Sequence, residues 1–455
     1  MNKLFGTDGM RGEAGSFPLD ADTIETVGAS LARRLAEKLG RRPLIVIGRD
    51  TRESGGWLEE ALVAGLARAG ADSKSAGVIT TPGVAFLSRT LPADAGVVIS
   101  ASHNPYRDNG IKIFAPSGRK LDEETERLIE RDVFAAPRSS AIENTADLDI
   151  VKTEAGEPSE LQSRYANFLA NEIGQGLSLR GIRLVLDCAN GAASKLAPEL
   201  FDRLGASVTT INNRPDGRNI NLECGSLHTE FLQTEVIKQR ATLGVAFDGD
   251  ADRVLFVDAN GKVVNGDGSL WVLARYLQAR QELSKDTVVA TVMSNIGLEI
   301  ALQSKAIRLV RTDVGDKYVL EELLRSGGSL GGEQSGHIIF PGVSLAGDGL
   351  ITTLSVLRSM IEAGKDLNDL TTGFQAFPQI LINVEVKVKR PFAELPAVRE
   401  AAHDVESQLG AEGRLLLRYS GTEPLARVMI EGKSQDEIEK YATRLASVIR
   451  QTLTV

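Results

Sequence analysis

The sequence predicts an α/β protein, three similar α/β domains followed by a smaller C-terminal α+β domain. Three observations carry this. Apolar runs that pass through a polar or small-residue loop into a helical pattern recur as LIVIGRDTR, IRLVLDCANGA and TVVATVMSNIG. Each is followed by a strand that ends in a chemically distinctive loop, at Ser102, Asp248 and Glu333. Identity between the copies is low, so the threefold repeat is one of pattern. After TTGFQAFPQ the pattern changes, and ILINVEVKVK alternates with period two, as an antiparallel strand does.

The elements follow in order. FGTDGMRG is a Gly-rich loop ending in Arg11, able to approach a phosphate closely. PLDADTIETVGASLARRLAEKLG has helical spacing and closes on Gly40. A buried strand (PLIVIG), a helix (GWLEEALVAGLARAGA), a short strand (KSAGVI) and a helix near PGVAFLSRTL lead to the Ser102 loop. The charged stretch from about 121 to 160 reads as the exit from the first domain. SELQSRYANFLANEI is a helix opening the second, which ends in TLGVAFDGDADRVLFVD. The third holds IRLVRTDVGDKYVLEELL and GSLGGEQSGHIIF. A helix from FAELPAVREAAHDVESQL, the strand–loop–strand GRLLLRYSGTEPLARVMIEG and a closing helix complete the chain. The expected boundaries are 1–155, 156–256, 257–368 and 375–455.

Composition narrows the partners. Of 455 residues, 42% are hydrophobic and 25% charged, as in ordinary globular proteins. The net charge of −9 argues against a nucleic-acid surface. Cys188 and Cys224 are the two cysteines, too few for a disulfide framework or a Cys metal site. No leader and no membrane-length apolar run is read, so the expected location is cytoplasmic.

Four loops carry chemistry. ISASHNPYRDNGIKIF reads as strand, tight polar loop, an Asn109-Gly110 turn and a second strand. Small neighbours leave the Ser102 hydroxyl uncrowded, making it a candidate nucleophile, with a Ser-rich turn capped by Asn104 as the plain alternative. Lys112 faces away from Ile111 and Ile113. In DGDADR an extended loop would aim Asp248, Asp250 and Asp252 the same way. Three such carboxylates repel, so one pKa should rise unless a hard cation such as Mg²⁺ binds. An EF-hand is excluded, because Arg253 and Ala259 stand where Gly and Glu are needed. GGEQSGH offers Glu333 and Ser335 to sugar hydroxyls and His337 as a general acid or base. RYSGTEPLAR combines Arg418, Ser420, Gly421, Thr422 and Arg427 into a phosphate cradle. No G-x-G-x-x-G after a strand, G-x-S-x-G or H-E-x-x-H competes, and Gly432-Lys433-Ser434 lacks the upstream Gly of a P-loop. Together the loops describe phosphoryl transfer on a sugar phosphate.

FGTDGMRG, ISASHNPYRDNGIKIF, DGDADR, GGEQSGH and RYSGTEPLARVM, in that order, resemble the α-D-phosphohexomutases over the whole chain, most closely the bacterial branch acting on glucosamine phosphates. The resemblance implies four domains around a central cleft, the first three with mixed sheets. It implies that Ser102 is carried as phosphoserine, and that its phosphoryl group with Asp248, Asp250 and Asp252 holds one Mg²⁺. Arg11, His103, Lys112 and Arg253 would surround the transferring group, with Lys112 and His337 as acid/base residues in unassigned order. Glu333 and Ser335 would bind the sugar, and Arg418, Ser420, Gly421, Thr422 and Arg427 the distal phosphate. The implied reaction interconverts glucosamine 6-phosphate and glucosamine 1-phosphate through a bisphosphate, feeding amino-sugar and peptidoglycan precursors. Gln334 favours glucosamine, since glucose and mannose enzymes usually have Met there. A homodimer is compatible, and neither nucleic acid nor membrane is expected as a partner.

Overall fold

The computed structural model describes residues 3–6, 8–136, 160–420 and 424–453. Gly421 and Thr422 of the fourth loop, and the later part of the expected domain exit, lie outside them. The chain forms two compact units, residues 1–292 with 310–371 and residues 293–309 with 372–455.

In the first unit one three-strand motif recurs three times. Leu44–Arg49 lies parallel to Ala95–Ile99, which pairs antiparallel with Asp108–Phe114. Arg183–Asp187 lies parallel to Leu243–Phe247, which pairs antiparallel with Val254–Val257. Thr287–Thr291 lies parallel to Gly331–Gly332, which pairs antiparallel with Ile338–Ile339. The connections between the antiparallel partners run from Ser100, Asp248 and Glu333. The three chemical loops therefore occupy one topological position on three mixed sheets, as the pattern predicts. Loops at strand ends sit on a rigid base, which suits them to positioning reactive groups.

Burial fixes each sheet. In the first domain Ile45, Ile47, Val97, Ile99 and Ile111 pack against Val27, Leu31, Leu58, Leu62 and Ile129 of the flanking helices, all fully buried. Helices Ala21–Leu39 and Gly55–Arg68 approach so closely that a Cβ on Gly65 would stand 2.0 Å from the Glu25 carbonyl. The first helix starts on Asp20, which accepts the Thr23 N–H, and stops at Gly40 with φ 66°. Such an N-cap contributes about 1 kcal/mol.

Two sequence expectations change here. Asn109 and Gly110 do not form the turn; they lie inside strand Asp108–Phe114, and the chain turns earlier, where the Asp108 N–H bonds the Pro105 carbonyl. Asn109 is fully buried and donates to Ser54 Oγ, so tertiary bonding overrides its turn preference. The stretch after residue 121 is not all exit: Glu123–Ala135 is a helix whose Ile129 and Val133 complete the first core.

The second unit carries the α+β domain. Gln379–Glu385, Leu425–Glu431 and Arg414–Tyr419 form an antiparallel sheet with the middle strand in the centre. Helices Pro396–Leu409 and Gln435–Leu453 cover it through Val398, Val405, Leu445 and Ile449. Buried Glu431 accepts from Arg414 Nε at 2.9 Å and from the Ile296 N–H at 3.1 Å, tying helix Ile296–Gln303 to the sheet. Among the described residues no helix is long and apolar enough to cross a membrane.

Candidate active site

Ser102 stands at the first strand end with φ 53°, a left-handed conformation that a Ser adopts only when held there. The holding groups come from the first and second domains. Asp50 and Arg52, both fully buried, pair at 2.9 Å. Arg52 Nη2 donates to the carbonyls of Ser102 (3.0 Å) and Asn104 (2.8 Å), and Nη1 donates to that of Asp108 (2.9 Å). Asn221 Nδ2 donates to the Ser102 carbonyl from the second domain at 2.8 Å. Ser100 Oγ donates to Asp50 and accepts the Ser102 N–H. The side chain is therefore buried rather than uncrowded, with 1% of its surface exposed.

Ser102 Oγ donates to Asp248 Oδ2 at 2.5 Å. Asp248, Asp250 and Asp252 converge, each offering an oxygen within 4.8 Å of the others. They do so through a tight turn, not an extended loop: the Ala251 N–H bonds the Asp248 carbonyl and Ala251 has φ 56°. The Gly between them is required, since a Cβ on Gly249 would lie 2.5 Å from the Ser102 carbonyl. Asp250 Oδ1 and Asp252 Oδ1 are buried and accept no hydrogen bond among the described residues. An all-carboxylate donor set with two such oxygens fits a hard metal ion. The expected charge strain is present. Burial, reinforced by Asp250 and Asp252, pushes the Asp248 pKa well up.

Cations surround the carboxylates. Lys112 Nζ lies 2.9 Å from Asp250, 3.3 Å from Asp252 and 3.2 Å from Asp8. Burial opposes its charge, but Asp250, Asp8 and Asp252 raise its pKa well above that of an ordinary lysine. Arg253 Nη1 donates to His103 Nδ1 at 2.9 Å, and Arg11 Nη1 to the Ala101 carbonyl and Asn104 Oδ1, both at 3.2 Å. An arginine only donates, so His103 Nδ1 bears a lone pair. Burial, then Arg253 and Arg11, lower His103 to about 4, and it is neutral at physiological pH.

His337 is buried between Asp252 (Nδ1, 3.6 Å) and Asp316 (Nε2, 3.8 Å). The Gly347 N–H donates to Nε2, which places the ring proton of this arrangement on Nδ1. Burial opposes a second proton, yet Asp252, Asp316 and Glu333 bring the ring to about 9. Taking that proton requires Nε2 to give up the Gly347 bond. His337 faces a cavity of about 590 Å³, also lined by Asp8, Lys112, Lys120, Asp252 and Asp316. Glu333 is half-buried and Ser335 is exposed.

In the second unit Arg418 and Arg427 are direct cross-strand partners. Like charges directly opposite on one sheet surface repel. Ser420 is buried, and Lys389 Nζ holds its carbonyl at 2.6 Å.

Every matching region falls on these elements. Residues 2–139, 163–261 and 265–377 match the models of phosphoglucomutase/phosphomannomutase alpha/beta/alpha domains I, II and III, and residues 381–448 match that of the C-terminal domain. The chain belongs to the phosphoglucomutase/phosphomannomutase family. Relatives named phosphoglucosamine mutase include one from Solibacter usitatus, 50% identical over 450 residues and 99% of each chain. Another, from Syntrophus aciditrophicus, is 45% identical over 453 residues and the full length of both. Among solved structures, a phosphoglucomutase/phosphomannomutase family protein from Burkholderia thailandensis shares the fold with a TM-score of 0.78 at 23% identity, covering 99% of this chain and 98% of that one. An N-acetylphosphoglucosamine mutase of Aspergillus fumigatus, solved with GlcNAc-6P and magnesium, gives 0.67 at 20% identity, with 99% and 96% covered.

Within this family member, sequence reasoning finds Ser102, the three Asp, Lys112 and His337, and the fold brings them together. It misses Asp50, Arg52, Thr81, Lys120, Asn221 and Asp316. One signal was present: GRDTR ends the first repeat's strand just as DCANGA ends the second's.

Proposed function

We propose that the protein is a phosphoglucosamine mutase, interconverting glucosamine 6-phosphate and glucosamine 1-phosphate with Ser102 as the phosphoryl carrier. The observation that carries the reading is Ser102 Oγ hydrogen-bonded to a buried Asp triad that Lys112 pairs with. In the forward step a sugar hydroxyl oxygen attacks the phosphoserine phosphorus and the P–Oγ bond breaks. The proton lost by the sugar balances the one Ser102 Oγ takes up. The bisphosphate then turns over and returns its other phosphoryl group by the reverse step. Lys112, Arg11 and Arg253 neutralise charge on the moving group, and neutral His103 keeps Arg253 in place. His337 exchanges the sugar proton, while Lys112 stays charged. Asp248, Asp250, Asp252 and the Ser102 phosphoryl oxygens would hold Mg²⁺, which supplies a Lewis acid for the transferring phosphoryl. Glu333 and Ser335 take sugar hydroxyls, with Gln334 favouring the amino sugar. The Arg418 and Arg427 hairpin, with Ser420, Gly421 and Thr422, takes the non-transferring phosphate. The reaction needs positioning and charge neutralisation, not a nucleotide. A cytoplasmic location and a homodimer complete the reading, and the net charge of −9 argues against nucleic-acid partners.

Rates on glucosamine, glucose and mannose phosphates test the substrate. Faster turnover of mannose 1-phosphate than of glucosamine phosphate reassigns the enzyme to the phosphomannomutases. Intact mass with and without phosphatase treatment tests the phosphoserine.

A further inference from the structure

Thr81 opens helix Thr81–Thr90 of the first domain, just after its N-cap Thr80. It reaches the second domain's acidic loop twice. Its hydroxyl donates to Asp250 Oδ2 at 2.6 Å, and its N–H donates to the Asp250 carbonyl at 3.0 Å. Lys112 Nζ meets the same Oδ2 at 2.9 Å. Both donors thus engage one carboxylate oxygen, and Asp250 Oδ1 is the oxygen left without a hydrogen bond. Thr81 is 2% exposed and Asp250 fully buried, so neither bond is shared with solvent. The N–H is one of the orphan donors of the helix's first turn, so the bond also satisfies the helix start. Ser102 lies in the same domain as Thr81.

We infer that Thr81 is a positioning residue for the metal ion assigned above: it turns Asp250 so that Oδ1 is the ligand oxygen and fixes the acidic loop against the domain that carries Ser102. The inference rests on the metal reading under Proposed function. Lys112 alone would leave the Asp250 carboxylate free to rotate. Groups that orient a ligand from behind typically change metal affinity by about 10- to 100-fold.

The test is direct metal binding. Chelator-stripped protein, its Ser102 phosphate confirmed by intact mass, is titrated with Mn²⁺ by water-proton relaxation and with Mg²⁺ by calorimetry, for the parent, Thr81→Val and Thr81→Ser. Thr81→Val keeps the shape and loses the hydroxyl. It should bind either ion about tenfold more weakly with its thermal transition retained, while Thr81→Ser stays within about threefold of the parent. Binding by Thr81→Val within about threefold of the parent overturns the inference and leaves the metal reading intact. If Thr81→Val does not fold, Thr81→Ala against Thr81→Ser decides by the same margins. If the parent binds neither ion, or Asp250→Asn binds as tightly as the parent, the metal reading fails and the inference with it.

Discussion

The Ser102 and Asp248 loops and the Glu333 loop share one topological position, yet they are built differently. The first two are buried, and the Ser102 loop is held by groups from other elements: Arg52, Asn221 and Asp50. The third leaves Ser335 exposed, and its hydroxyl meets Glu333 only at 3.5 Å. The difference separates two tasks. Atoms that gain or lose charge in the reaction need a preorganised, water-poor setting. Groups that recognise a sugar must exchange water for substrate, and must release it when the bisphosphate turns over.

The largest effect that sharpens this comparison is at Ser102. Ser102→Ala should lower turnover by about 10⁴-fold or more and abolish the phosphorylated mass, because Ser102 Oγ is the hydroxyl that meets Asp248, at 2.5 Å. Residual mutase activity near the parent's would place the nucleophile elsewhere. His337→Asn should lower kcat by ~10²–10⁴-fold with a smaller change in KM, the mark of proton transfer in the reacting step. An effect confined to KM would make His337 a substrate-recognition group rather than a proton-transfer group. Glu333→Gln should act in the opposite sense. It removes a charged acceptor from a sugar hydroxyl, which is worth about 1.5–3 kcal/mol, or roughly ten- to a hundredfold in kcat/KM, chiefly through KM.

The smallest effect concerns support behind the acidic loop. Asp348 caps helix Gly349–Ala363, whose first N–H bonds the Ala251 carbonyl, and accepts from Tyr165 Oη at 2.6 Å. Burial raises its pKa from 3.8 to about 6 against the help of those hydrogen bonds. As pH rises the unfolded chain loses this proton first, so the group's contribution to stability falls between pH 3.8 and about 6. Asp348→Asn keeps the cap and does not ionise. Its Tm relative to the parent should rise by roughly 2 °C from pH 4 to pH 7. A difference that is flat with pH would show Asp348 ionised in the fold at pH 4.

How much was legible in advance follows from where each signal is stored. The DGDADR carboxylates are close in sequence, so their convergence was readable, although it comes from a turn. Lys112 alternates with Ile111 and Ile113 in one strand, so its direction was readable too. Arg52, Thr81 and Asn221 were not, because their partners lie 50, 169 and 119 residues away. Nothing local distinguishes a buried Arg that holds the Ser102, Asn104, Pro105 and Asp108 carbonyls from a solvated one.

The sequence by itself determined the three repeated units, the changed C-terminal domain and the residue types in each loop. Short-range hydrophobic period and local charge set those features. The tertiary structure decided that the Ser102 loop is a clamped, buried site, that Lys112 is buried against Asp8, Asp250 and Asp252, and which oxygen of Asp250 carries no hydrogen bond. Those depend on burial and on bonds between domains, and both arise only when distant segments exclude water from one another.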